Sequence, residues 1–117
     1  MAIRIKRIYD DADDGDGYRV LVDRLWPRGI KKADAELDAW ARELAPSDAL
    51  RKWFGHDADK LDEFKKRYAK ELDSNDDAAQ TLDDLKSRAR DGRVTLLYAA
   101  KDTDHNNAVA LKEYLES

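Results

Sequence analysis

The sequence predicts an α/β fold: a single small domain with a largely parallel sheet of three or four strands and helices packed on it. Three observations predict this. The apolar runs Tyr18–Leu25 and Arg93–Ala100 read as strands covered on both faces, the setting of parallel sheets. Stretches with apolar residues three or four apart, the mark of amphipathic helices, lie between them. The chain of 117 residues has the length of one domain, residues 1–117. That length can bury about two-thirds of the unfolded surface.

The elements follow in order. Ile3, Ile5 and Ile8 alternate with Arg4, Lys6 and Arg7, which predicts a half-buried strand over residues 2–9. Asp10–Gly17 holds five aspartates and two glycines. Read as a calcium loop from Asp11, it puts Gly15 and Val22 where the pattern needs an oxygen ligand and a glutamate. It therefore reads as a solvated turn. Tyr18–Leu25, with Val20, Leu21 and Val22 in succession, is a central strand. Ile30–Leu44 reads as a turn or short helix leading into a short strand.

Ser47 caps a short helix that Gly55 ends, and Asp57 caps a longer one with Leu61, Phe64, Tyr68 and Leu72 inward. Ser74 or Asn75 starts the next, which buries Ala78, Leu82, Leu85 and Ala89 and stops at Gly92. Arg93–Ala100 is the second central strand. Lys101–Asn107 is a polar loop, and Ala108, Leu111 and Leu115 mark the last helix. Trp40 and Trp53 are assigned to packing, so Trp53→Ala is expected to cost about 3–5 kcal/mol.

Composition narrows the function classes. Apolar residues are 42% of the chain and charged residues 41%, so a modest core lies under a heavily charged surface. A net charge of −4 argues against nucleic acid as a partner, although a local basic patch is compatible with it. The absence of cysteine excludes disulfides, thiolate metal sites and thiol nucleophiles, including those that phosphatases and rhodaneses place between a strand and a helix. No apolar run approaches the ~20 residues that span a bilayer. The amino-terminal segment lacks the apolar block of a signal peptide. A cytoplasmic protein without a membrane partner is expected. No nucleotide loop or other cofactor motif is present, so no cofactor is expected; His56 and His105 lack ligand spacing, so no metal is expected either.

Ligands of open α/β sheets bind beyond the carboxyl ends of the strands. Two stretches are expected there. One is Asp23–Lys32, where a charge pair, a Trp-Pro step and an Arg-Gly turn follow a buried run. The other is Lys101–Asn107, which leads into the last helix and its unsatisfied amide groups. The candidate ligand-binding residues are Asp23, Arg24, Trp26, Arg28, Lys101, Asp102, His105, Asn106 and Asn107. His105 is the candidate acid or base. The alternative for the same residues is structural. Asp104 or Asn106 would cap the helix, and Arg24 would pair with Asp23 or Asp102.

The run Asp23-Arg24-Leu25-Trp26-Pro27-Arg28-Gly29 resembles the YeaO-like family, small bacterial and archaeal proteins classed as a domain of unknown function. Ala45-Pro46-Ser47, Leu50–His56, the Phe64–Leu72 helix, Leu96–Asp102 and His105–Ala108 extend the resemblance over nearly the whole chain. It implies a YeaO-like domain and supplies no substrate. Its motif residues fall in the two stretches chosen on physical grounds. The expected function is a site for a small anionic molecule of phosphate or carboxylate type, with or without turnover. The alternative is a non-enzymatic regulatory or interaction module that uses the basic-aromatic patch Arg24–Lys32.

Overall fold

The computed structural model describes residues 2–117. Four parallel strands form one sheet in the order β1-β4-β2-β3. Strand β1 is Ala2–Arg7, β2 Tyr18–Leu21, β3 Ala39–Trp40 and β4 Arg93–Tyr98. The two predicted central strands are central, and β4 lies between β1 and β2. Ile5 and Val20 flank Leu96 in register, and Leu21 stands beside Leu97. The helices are α1 Lys32–Ala35, α2 Asp48–Phe54, α3 Leu61–Asp73, α4 Asp76–Asp91 and α5 Asn107–Glu116.

The sheet's two faces are covered differently. On one, Ile3, Val20, Val22, Val94, Leu96 and Tyr98 pack against the stripes of α2 to α5, including Phe54, Phe64, Tyr68, Leu82, Leu85 and Leu111. Phe54 and Phe64 stack with centroids 4.1 Å apart. The buried Tyr68 hydroxyl donates to the Leu44 carbonyl. On the other face, Ile8, Leu21, Ala35 and Leu97 form a small cluster under Trp26, Ile30, Leu37 and Trp40. Among the described residues no long helix covers that side; the segment from Trp26 to Trp40, with the single turn α1, does so.

Local signals explain the helix ends. Ser47 Oγ accepts from the Leu50 amide at 3.2 Å, and Glu71 of α3 accepts from the Ser47 amide and hydroxyl at 2.9 and 2.6 Å. Gly55 ends α2 in the left-handed conformation, φ 54°. Asn75 caps α4 and Asn106 caps α5. Asp57 caps a short 3-10 turn, Ala58–Lys60, which runs into α3.

Three expectations are corrected. The second strand ends at Leu21, not Leu25, because the chain peels away: Arg24 is exposed and Leu25 is 65% exposed. The aspartate loop is not merely solvated. Asp16 is fully buried and accepts from Arg4 at 2.8 Å, from Lys6 at 3.1 and 3.2 Å, and from Arg19. Its carbonyl accepts the Thr95 hydroxyl at 2.7 Å, so the loop is fastened to β4. Trp53 is half-buried, under the side chains of Arg67 and Lys60 rather than deep in the core. The expected cost of Trp53→Ala therefore falls to about 2 kcal/mol, the scale of a partly recovered burial. Urea melts of the two proteins check this, and a loss above about 4 kcal/mol contradicts it.

Candidate functional site

Past Leu21 the chain keeps one further tie to the sheet. The Val22 amide donates to the Leu97 carbonyl at 3.1 Å. Asp23 follows at the point where β2, β4 and α5 converge. Its Oδ2 accepts the Ala99 amide at 2.9 Å, and its Oδ1 accepts Asn107 Nδ2 at 3.0 Å. Asn107 Nδ2 also donates to the Val22 carbonyl at 3.2 Å. One carboxylate thus holds the exits of both central strands and the start of the last helix. Burial raises the Asp23 carboxyl above its ordinary pKa; the hydrogen bonds from Asn107 and Ala99 and the charges of Arg51 and His56 oppose this.

From Asp23 the loop is built on tryptophan. Trp40 Nε1 donates to the Asp23 carbonyl at 2.8 Å. Trp26 meets Trp40 edge to face, centroids 5.3 Å apart, and its Nε1 donates to the Ile30 carbonyl at 2.7 Å. That bond closes a turn in which Gly29 takes φ 80°. The Tyr9 hydroxyl donates to the Arg28 carbonyl at 2.8 Å and ties the turn to the exit of β1. Arg7, which donates to the Ala99 and Ala100 carbonyls at 3.1 and 2.9 Å, lies over the Tyr9 ring.

Tyr9, Asp23 and Trp26 border a partly open cavity of about 310 Å³. Trp26, Pro27, Phe54 and Phe64 supply apolar lining, and Arg24, Arg28, Arg51 and His56 supply positive or donor groups. Arg24 lies 3.6 Å, and Arg51 3.0 Å, from the same Asp48 carboxylate oxygen, which is well exposed. Arg28 makes no ion pair among the described residues. His56 is held at φ 56°, left-handed for a residue with a side chain, directly after left-handed Gly55. Its Nδ1 lies 3.2 Å from the His105 carbonyl. A carbonyl only accepts, so Nδ1 carries the proton and Nε2 is the ring's remaining polar atom.

The sequence-predicted residues divide between wall and support. Asp23, Arg24, Trp26, Arg28 and Asn107 line the cavity; Lys101, Asp102, His105 and Asn106 do not. Arg24 pairs with Asp48, not with Asp23 or Asp102. Asp102 accepts the Asp104 and His105 amides at 2.9 and 3.0 Å and the His105 ring at 3.1 Å. The Asp104 amide bond leads, and the His105 contacts add to it, in holding the Asp102 carboxyl below its ordinary pKa. Buried Asn106 caps α5 through the Val109 amide at 3.0 Å and donates to the Asp102 carbonyl at 2.9 Å. This loop folds back on itself and reaches the site through Asn107 and the His105 carbonyl. Among the described residues no group of three or more histidines, aspartates and glutamates is placed to hold a metal ion.

Tyr9, Arg51 and His56 are the polar lining residues that strand-end reasoning missed; Phe54 and Phe64 are apolar ones. Tyr9 stands just past β1, where the same reasoning reaches it if applied to the edge strand. Arg51 and His56 come from α2 and its cap, and both lie within the run Leu50–His56 on which the family resemblance rests.

Fold and cavity together define a class: a small parallel α/β domain with a cationic, partly apolar cavity at the carboxyl ends of its strands. The chain belongs to the family described as the inactive DUF488-N3 subclade, whose model matches residues 2–117. It is 45% identical over 117 residues to the uncharacterized protein YeaO of Escherichia coli strain K12, covering 100% of this chain and 99% of that one. It is 40% identical over 113 residues to uncharacterized proteins of Mycobacterium bovis and Mycobacterium tuberculosis, covering 97% of this chain and 92% of each. No solved structure matches. Among the described residues no helix is long and apolar enough to cross a membrane.

Proposed function

We propose that the protein binds a small anionic molecule, of phosphate or carboxylate type, in the cavity beyond β2 and β4. The observation that carries this reading is the lining itself. Three arginines and a histidine border about 310 Å³ of space whose remaining wall is largely apolar. Guanidinium groups recognise phosphate and carboxylate through paired hydrogen bonds, and low-dielectric walls strengthen those bonds. The family's description as an inactive subclade supports binding over turnover.

Titration with phosphate and with small phosphorylated or carboxylated metabolites, followed through amide shifts, tests the reading. Shifts are expected at the amides of Asp23, Arg24, Leu25, Trp26, Arg28, Arg51, His56 and Asn107. Their confinement to the opposite end of the sheet, or their absence, overturns it. Arg28→Ala is expected to leave stability within about 0.5 kcal/mol, because the side chain is exposed on a loop, while weakening the anion's affinity. A melting curve and one binding isotherm check both halves.

One observation favours a second reading, an interaction module. Leu25 and Tyr9, 65% and 42% exposed, are the exposed large hydrophobic residues among those described, and both border the cavity. Trp26 supports the first reading, since its ring is half-buried against Trp40 rather than presented as a flat face. A Leu25→Asp variant that keeps its anion affinity but loses a protein partner would favour the second.

A further inference from the structure

Building on the anion reading above, we propose that the cavity's ligand is a small zwitterion, with a phosphate-, phosphonate- or carboxylate-type group on the arginine rim and an ammonium group on Asp23. Unmatched charges of both signs border this one cavity. Asp23 is half-buried, and two neutral donors hold it, the Ala99 amide and the Asn107 side chain. Among the described residues no lysine, arginine or histidine forms an ion pair with it. A carboxylate in that position gains from a cation or a strong donor. On the same wall Arg28 has no carboxylate of its own, while Arg24 and Arg51 share one exposed partner, Asp48. The cavity therefore holds both signs without letting them neutralise each other.

A ligand with only a negative charge serves the arginines and repels Asp23. A ligand with only a positive charge does the reverse. A molecule carrying both, joined by a short aliphatic spacer, serves both ends, and Trp26, Phe54 and Phe64 give the spacer apolar contact. The charge environment of Asp23 agrees with this. Burial disfavours its ionised form, and the neighbouring Asn107, Ala99, Arg51 and His56 offset that only in part, so an added ammonium group relieves a real deficit.

The test compares ethyl-, propyl- and butylphosphonate with the same phosphonates bearing a terminal amine, by calorimetry on the full chain. At least one amine is expected to bind about tenfold more tightly than its amine-free counterpart, the scale of one charge-assisted hydrogen bond. Asp23→Asn should erase that advantage, so that each amine and its amine-free counterpart bind the variant alike. Should that variant not fold, carbon NMR of the wild-type Asp23 carboxyl gives the same answer. Its titration should move to lower pH with the aminoalkylphosphonate and to higher pH with the alkylphosphonate. Alkylphosphonate binding with no amine advantage at any length, or an Asp23 titration that the amine does not move, overturns the zwitterion and leaves the anion site standing. No binding by either series overturns both.

Discussion

Asp16→Ala is expected to destabilise the protein by about 3–5 kcal/mol, the cost of breaking a buried ion cluster by removing one partner. Asp16 is fully buried, and its carboxylate is shared by Arg4, Lys6 and Arg19. Arg19 is itself only 6% exposed and also donates to the Ala35 and Glu36 carbonyls, both at 3.0 Å. Removing Asp16 leaves that guanidinium without its counter-ion inside the protein and loosens the segment that covers the second sheet face. The expected fall in Tm is on the order of 10–20 °C for a domain of this size, read by calorimetry. A loss below about 1 kcal/mol would mean that water and the remaining acceptors compensate Arg19 fully. The pH dependence has a definite sign. Burial works against ionisation of Asp16, but the hydrogen bonds from Lys6 and Arg19 prevail and hold its pKa below the ordinary value. The stability it contributes is present above the unfolded pKa, about 3.9, and is lost as pH falls through the lower folded value.

Gly17→Ala is expected to cost about 3 kcal/mol through a different cause. Gly17 has φ 65°, where an L side chain is strained by roughly 1–2 kcal/mol. A Cβ placed there would also lie 2.2 Å from the Arg93 carbonyl oxygen, so the loop or the start of β4 must shift. Overpacking of this kind adds about 1–3 kcal/mol. Gly29→Ala is the control. Its φ is 80°, and no atom lies near the added Cβ, so only the backbone strain remains. Melting both variants under one condition separates the contributions, and equal losses would contradict the clash.

Much of the fold was legible because its determinants are local. The β-branched runs at Tyr18 and Arg93 announced the central strands, and Ser47, Gly55, Asn75 and Gly92 marked helix ends through backbone chemistry that needs no tertiary context. Asp16 was not legible by the same means. A rule that places charges in solvent reads Asp10–Gly17 as a wet turn. The missed signal lay in the strands: Arg4, Lys6 and Arg19 share one sheet face across β1 and β2, and such a cluster of positive charge needs a counter-ion. At the site, strand-end reasoning reached Asp23, Arg24, Trp26 and Arg28, whose positions follow from where β2 stops. Of the Lys101–Asn107 side chains it named, only Asn107 lines the cavity among the described residues. Short polar residues before a helix also bond to their own backbone, and Asp102 and Asn106 do so here. Arg51 and His56 enter from the end of α2, where no strand-end rule looks.

The strand order sets when the protein can fold during its synthesis. β4, the strand between β1 and β2, is made late, and its pairing with β1 joins Ala2 to Arg93. Until the ribosome has released that segment, β1 and β2 have no common neighbour and the aspartate loop has no Thr95 to hold it. Contacts so far apart in sequence are slow to close. At about 5–20 residues added per second, the nascent chain therefore spends several seconds with its Ile and Val strands uncovered. The alternating Arg4, Lys6 and Arg7 on β1 guard that interval, because positive charge along an unpaired strand discourages pairing with other chains. The same lysine and arginine that later enclose Asp16 thus protect the chain before Asp16 has been buried.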